Sequence, residues 1–188
     1  AQYDAVVANP PYMGSKFYCQ TLKGFVNRVY KEGKTDLYGA FMLRNMEFAN
    51  HGARIGMITI PNWMFLSSFQ DLRKAIFRSA PISTLVQNGR GVWGSDFGSC
   101  SFILRRSATS GLVGRFLRLF DKHVSVASNE TLKSRFHTNP RFCTVNGEFA
   151  KIPSSPVAYW ASPAMFRIFE ETRPLGELAP TRKGMVTA

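Results

Sequence analysis

Four consecutive residues near the start of the chain, Asn9-Pro10-Pro11-Tyr12, bring together groups suited to one kind of chemistry. Asn9 offers a side-chain carbonyl oxygen, and Pro10 a backbone carbonyl on a segment stiffened by two successive rings. Two acceptors in a stiff frame can take both hydrogens of an exocyclic amine such as adenine N6. They would draw that nitrogen toward tetrahedral geometry, although its lone pair is normally delocalised into the ring. Acceptors placed in advance stabilise the positive charge that develops as such a nitrogen attacks an electrophilic methyl group. The attack needs no covalent nucleophile, and the chain shows no Ser-His or Cys-His arrangement that would supply one. Tyr12 adds an aromatic face beside the acceptors. Stacking on one ring contributes roughly 1 to 3 kcal/mol, comparable to the few kcal/mol needed to extrude a base from a duplex. Trp93, in a glycine-rich segment, is the candidate for a second ring, and spacing alone reads it equally well as a core tryptophan.

The elements that must hold this tetrapeptide follow from patterning. Tyr3 to Ala8 is a short apolar run ending at a prolyl pair that cannot continue a sheet ladder, which puts the tetrapeptide on a loop at a strand's C-terminal end. Met13 to Lys34 is aromatic and basic without a clean period, and is expected as a partly mobile loop or short helix. Thr35 or Asp36 can cap a helix running to about Asn50, with Tyr38, Phe41, Met42, Met46 and Ala49 on one face as core and Gly52 as its stop. Asp36 could equally face the cleft. Arg54 to Ile60 is a strand stopped by Pro61, and Ser68-Phe69-Gln70-Asp71 resembles a capping box opening a helix through about Phe77. Alternating strands and helices predict an α/β fold with a parallel sheet covered on both faces. Ile82 to Val86 and Cys100 to Leu104 form two more strands. The thirteen residues from Gln87 to Ser99 that join them, four of them glycine, are too many for a tight hairpin and too few for a crossover helix. They predict antiparallel neighbours with a functional loop between. Leu112 to Leu119 reads as one more strand, after which Pro140, Pro153, Pro156 and Pro163 punctuate a stretch without a readable pattern.

Composition narrows the partners. With 188 residues, 45% of them hydrophobic, the chain can bury a real core. Its 24 basic residues exceed its 12 acidic ones, giving a formal charge of +12 that favours a polyanion; Lys16, Arg90, Arg105 and Arg106 are candidate phosphate contacts. Cys19, Cys100 and Cys143 are too widely spaced for a metal site, and His51, His123 and His137 lie far apart, so no metal is expected. The cysteines read as reduced thiols of a cytoplasmic protein. No run reaches the ~18 apolar residues of a membrane span. The chain opens on Ala1 directly before a core-like strand, and is expected to begin inside a domain.

These motifs resemble the amino-methyltransferases bearing an Asn/Asp-Pro-Pro-Tyr/Phe motif, and within them the large adenine-specific DNA methyltransferases of restriction-modification and BREX-type phage defence. Tyr3 to Tyr12 is similar to the catalytic motif with its strand; Asp36-Leu37-Tyr38 with Phe41, Gly56 to Trp63, and Leu72-Arg73 are similar to the motifs that follow. Gly89 to Ser99 resembles the later motif whose aromatic contacts the flipped base. A Phe is usual there, so Trp93 and Phe97 both stand as candidates. The resemblance implies a partial Rossmann-like class I methyltransferase sheet, mostly parallel with an antiparallel hairpin strand. Residues 1–122 would be the C-terminal half of the catalytic domain, and 123–188 a connector toward a target-recognition domain. It further implies Asn9, Pro10 and Tyr12 as catalytic residues and Pro11, Trp93, Phe97, Lys16 and Arg90 as substrate-binding ones. The methyl donor would be S-adenosylmethionine, and the partners double-stranded DNA and other phage-defence or restriction subunits. The family's donor-binding glycine loop and acidic strand end are not recognisable here and are expected before Ala1. Methylation of a protein glutamine or an RNA base by the same acceptors, and a non-catalytic DNA-binding or scaffold role, are the alternative readings.

Overall fold

The computed structural model describes residues 1–92, 97–109, 111–122 and 127–179. Six strands form one sheet: β1 (Tyr3–Ala8), β2 (Ala49–Thr59), β3 (Ile82–Gly89), β4 (Ser99–Arg105), β5 (Val113–Arg118) and β6 (Arg141–Val145), in the order β1-β2-β4-β3-β5-β6. β1 runs parallel to β2 and β3 parallel to β5, while β4 lies antiparallel between β2 and β3 and β6 antiparallel on the outer edge. Four of the six strands therefore point the same way, and the expected antiparallel hairpin of β3 and β4 is present.

Period-two burial explains which face of this sheet meets the core. In β2, Ala53, Ile55, Met57 and Thr59 are buried while Arg54, Gly56 and Ile58 alternate with them on the opposite face. In β4, Cys100, Phe102 and Leu104 do the same. Helices α1 (Gln20–Val29), α2 (Leu37–Phe48) and α3 (Gln70–Ser79) follow. Met42 and Met46 of α2 and Leu72 and Ile76 of α3 join those strand residues in one core cluster, and Val26 of α1 packs on Ala40 of α2 in a second. The opposite face carries Val7, 85% exposed, and Ile103, 36% exposed, beside Gly56 and Ile58. Coverage of both faces was expected; among the described residues the packed side is the one that meets α2 and α3.

Several local expectations needed amendment. Met13 to Lys34 contains a full amphipathic helix, α1, because Leu22 and Val26 share a face against α2. The α3 helix begins near the expected place, yet no side-chain cap bond forms at Phe69; a short 3-10 turn at Ser67–Phe69 leads into it instead. Gly52 does not stop α2, which ends at Phe48; it takes φ +84° within the first part of β2. Residues beyond 122 add α4 (Asn129–Thr138), β6, α5 (Pro163–Glu171) and α6 (Leu175–Leu178). The anticipated boundary at 122 falls between β5 and β6, which pair in one sheet, and Phe149, Val157, Tyr159 and Phe166 enter the same core as the strands.

Candidate active site

The prolyl pair ends β1 as patterning required, and Asn9-Pro10-Pro11-Tyr12 emerges at the strand's C-terminal end. Pro10 is buried, whereas Asn9, Pro11 and Tyr12 reach the surface. The Tyr12 hydroxyl donates to Asn9 Oδ1 at 3.0 Å and lies 3.3 Å from the carbonyl oxygen of Ile58, at the end of the neighbouring strand. Burial, with Cys100 adding to it, pushes the Tyr12 hydroxyl above its ordinary value, so it remains a protonated donor. A carbonyl oxygen carries two lone pairs, so the Tyr12 bond orients Asn9 and still leaves capacity for an incoming N–H. The Tyr12 ring meets Tyr38 edge-on at 6.3 Å, and Tyr38 in turn stacks on Phe69 at 5.6 Å. Tyr12 is thus braced from behind while 43% of it stays exposed, as a stacking surface requires.

Asp36 fixes the exit of the loop. Its Oδ1 accepts from the N–H of Met13 at 3.1 Å and from that of Tyr38 at 3.3 Å, so one carboxylate oxygen caps α2 and grips the residue after Tyr12. Leu37 N–H to Met13 O and Ser15 N–H to Thr35 O continue the pairing. Burial raises the Asp36 carboxyl above its ordinary value, while the backbone N–H groups pull it back. The cap reading of Asp36 holds, and the same oxygen also holds the backbone after Tyr12. Gly33 and Gly39 hold the other side of this anchor: a Cβ on Gly33 would stand 2.5 Å from the carbonyl carbon of Gly39, so only glycines permit the approach.

The other site candidates separate. Lys16 is exposed with its ammonium 4.8 Å from the centre of its neighbour Phe17's ring. Trp93 lies outside the described residues, and Phe97 is 68% exposed at the mouth of the β3–β4 hairpin. Arg90 and Phe97 both line a cavity of about 440 Å³ beyond the ends of β2 and β3. Arg105 is exposed, whereas the Arg106 guanidinium donates to the carbonyls of Met46 and Ser79. Asn9 borders a different groove, about 430 Å³, on the open sheet face with Val7, Gly56, Ile58 and Ile103.

Sequence reasoning missed three groups. Phe65, Arg118, Phe120 and Trp160 share the cavity of Arg90 and Phe97; no spacing rule joins residues so far apart. Arg73, fully buried, donates to the carbonyls of Trp63, Leu66, Ser154 and Ser155. The left-handed φ of Ser154 (67°) and Ser155 (50°) is held by those bonds. The Asp36 to Met13 contact could have been suspected only from the cap signal. No His/Cys/Asp/Glu group among the described residues could hold a metal ion.

The α/β sheet, with one strand reversed in its middle and Asn-Pro-Pro-Tyr at the end of its edge strand, has the fold of class I methyltransferases. A modification subunit of a putative type I restriction enzyme from Vibrio vulnificus YJ016 shares this fold at a TM-score of 0.60 and 12% identity, over 79% of this chain and 34% of that one. Residues 1–93 match the family model of the Eco57I restriction-modification methylase. The adenine-specific methyltransferase PglX of Lacticaseibacillus casei strain Zhang is 32% identical across 100% of this chain and 16% of its own. The adenine-specific methyltransferase BrxX of Escherichia coli O9:H4 strain HS is 31% identical across 95% of this chain and 15% of its own. The chain belongs to this family of restriction-modification and phage-defence adenine methyltransferases, and spans about one-sixth of the length of the curated relatives it matches.

The described residues do not fit a complete site for S-adenosylmethionine. Gly14 faces Asp36 in an isolated bridge and Gly24 sits within α1, so neither forms a glycine turn after a strand.

Proposed function

We propose that the protein containing this chain methylates adenine N6 in double-stranded DNA, on a base swung out of the helix, using the S-adenosylmethionine of its family. The observation that carries this reading is the braced tetrapeptide at the end of β1, exposed at Asn9, Pro11 and Tyr12, with Asn9 Oδ1 held by the Tyr12 hydroxyl. Asn9 Oδ1 and the Pro10 carbonyl accept the two N6 hydrogens, and the Tyr12 ring stacks on the extruded adenine. As the nitrogen takes on positive charge, both acceptors strengthen their hold on it, which is where their contribution to rate arises. Asp36 positions the loop without touching the base.

Asn9→Ala in the full-length protein tests the proposal. Methylation of adenine is expected to fall to background while affinity for DNA and for the donor stays within a few-fold of wild type. Turnover retained by Asn9→Ala would remove the asparagine from the reaction.

A further inference from the structure

The rim of the sheet that carries the tetrapeptide at one edge carries a basic ledge at the other. β1, β2, β3 and β5 run the same way, so their C-terminal ends share this rim. β6 runs back beside β5, and its first residue, Arg141, pairs with Leu117, one residue before β5 ends. Helix α4 ends at Thr138, just before β6, and is tied to the same rim. Arg135 donates to the carbonyl of Leu119 at 3.0 Å, and Asn139 Nδ2 to that of Arg118 at 2.8 Å. We propose that α4 and the start of β6 form a phosphate clamp, which holds duplex DNA to one side of the extruded base through Lys133, His137 and Arg141; this rests on the proposed DNA-methylating function.

The ledge has the chemistry of a polyanion site. From Arg118 to Arg141 the sequence has five basic residues against two acidic ones, and both acids are engaged. Asp121 pairs with Arg135 at 2.6 Å. Glu130, at the helix start, is held by its own backbone amide and the Ser128 hydroxyl, which keep its carboxyl below the ordinary value. Lys133 and His137 stand one turn apart on one exposed face of α4, and Lys133 enters no ion pair among the described residues. Arg141 is exposed yet already placed: its Nη2 donates to the Phe136 carbonyl at 2.8 Å, and its guanidinium lies 5.7 Å from the centre of the Phe136 ring. A guanidinium has five N–H donors, so those that Phe136 does not use remain for phosphate oxygens. A cation fixed beforehand also loses less side-chain freedom on binding.

The spacing suits one duplex. β1 and β6 stand at the two ends of the strand order, five strand spacings or about 24 Å apart. Duplex DNA rises about 3.4 Å per base pair. A duplex lying along the rim with its target base at Asn9 therefore meets the ledge about 7 base pairs away.

The test is binding of a labelled DNA duplex by the full-length protein, read by fluorescence anisotropy over a range of salt concentrations. Lys133→Gln is expected to make log affinity against log salt shallower by about 0.9, and to weaken binding on the order of fivefold near 0.15 M salt. Lys133→Arg keeps the charge and should restore the wild-type slope. Arg141→Gln should act like Lys133→Gln, and the two together should remove about 1.8 from the slope. Ethylation of phosphates about 7 base pairs from the adenine that the wild type methylates should impair binding by the wild type and not by the double variant. A wild-type slope in both single variants overturns the clamp and leaves these cations to an acidic protein. The same ethylation pattern in wild type and double variant overturns it as well. Absence of adenine methylation by the wild type instead overturns the proposed function, and the salt slopes judge the clamp separately.

Discussion

Asp36 offers the sharpest test of how the tetrapeptide is held. Asp36→Ala deletes one oxygen that serves two amides, Met13 N–H at 3.1 Å and Tyr38 N–H at 3.3 Å. Loss of an N-cap costs about 0.5 to 2 kcal/mol, and a part-buried amide left unpaired about 1 to 3 kcal/mol. The local loss is therefore about 1.5 to 5 kcal/mol, concentrated where the loop of Asn9 to Tyr12 joins α2. Leu37 N–H to Met13 O survives, so the loop stays tethered but less well placed. A displacement of about 1 Å can cost on the order of a hundredfold in rate. The full-length Asp36→Ala variant is thus expected to lose about ten- to a hundredfold in kcat, with KM for DNA and donor within a few-fold. Asp36→Asn keeps an acceptor oxygen and an equally good cap, and should retain most activity. The stability signs follow from burial, which raises the Asp36 carboxyl above its unfolded value. The folded state then favours the protonated acid, so wild type loses stability relative to Asp36→Asn as pH rises from the ordinary carboxylate value through the raised one, and the gap is constant beyond. Wild-type kcat in Asp36→Ala would refute the anchoring argument. Equal damage in Asp36→Asn would show that the charge, not the hydrogen bonds, is what the loop needs.

Tyr12→Phe keeps the ring and loses the bond to Asn9, and should lower kcat by about 2- to 13-fold, the equivalent of one hydrogen bond; Tyr12→Ala should in addition weaken capture of a 2-aminopurine target, read by its fluorescence. Arg73→Met leaves the carbonyls of Trp63, Leu66, Ser154 and Ser155 without their donor, and about 3 to 5 kcal/mol of stability is expected to go. Urea unfolding checks it, and a loss below about 1 kcal/mol would refute the structural role of those bonds. Cys100 is fully buried and its thiol is pushed up to about 11 by that burial. Alkylation of the native protein followed by peptide mapping should label Cys19 and Cys143, both exposed, and spare Cys100.

The parts of the fold legible in sequence were those decided within a few residues. A prolyl pair must end β1 wherever the chain goes next, and alternating burial in β2 and β4 follows from their own side chains. The segment after residue 122 was opaque because its order is imposed from afar. Asn146, fully buried, exchanges hydrogen bonds with both the N–H and the carbonyl of Ile82 and also bonds the carbonyl of Leu112, acting as a strand neighbour where no strand exists. Phe116 stacks on Tyr159 at 5.0 Å, a pairing that no periodicity announces.

The same distinction governs the candidate site. Two proline rings limit the tetrapeptide's φ angles, and that restriction can be read from four letters. Limiting φ does not, however, set where Asn9 Oδ1 stands relative to an approaching amine. Position comes from three contacts that cross the fold: Tyr12 to the Ile58 carbonyl on β2, Tyr12 against Tyr38 on α2, and Met13 to Asp36 at the cap of that helix. Each reaches an element that itself packs in the main core, so stiffness of the acceptor pair is borrowed from the sheet and helix together. A motif of this kind is therefore necessary for the proposed chemistry and insufficient for it. The same tetrapeptide without an aspartate at the following cap would keep its shape and lose its aim.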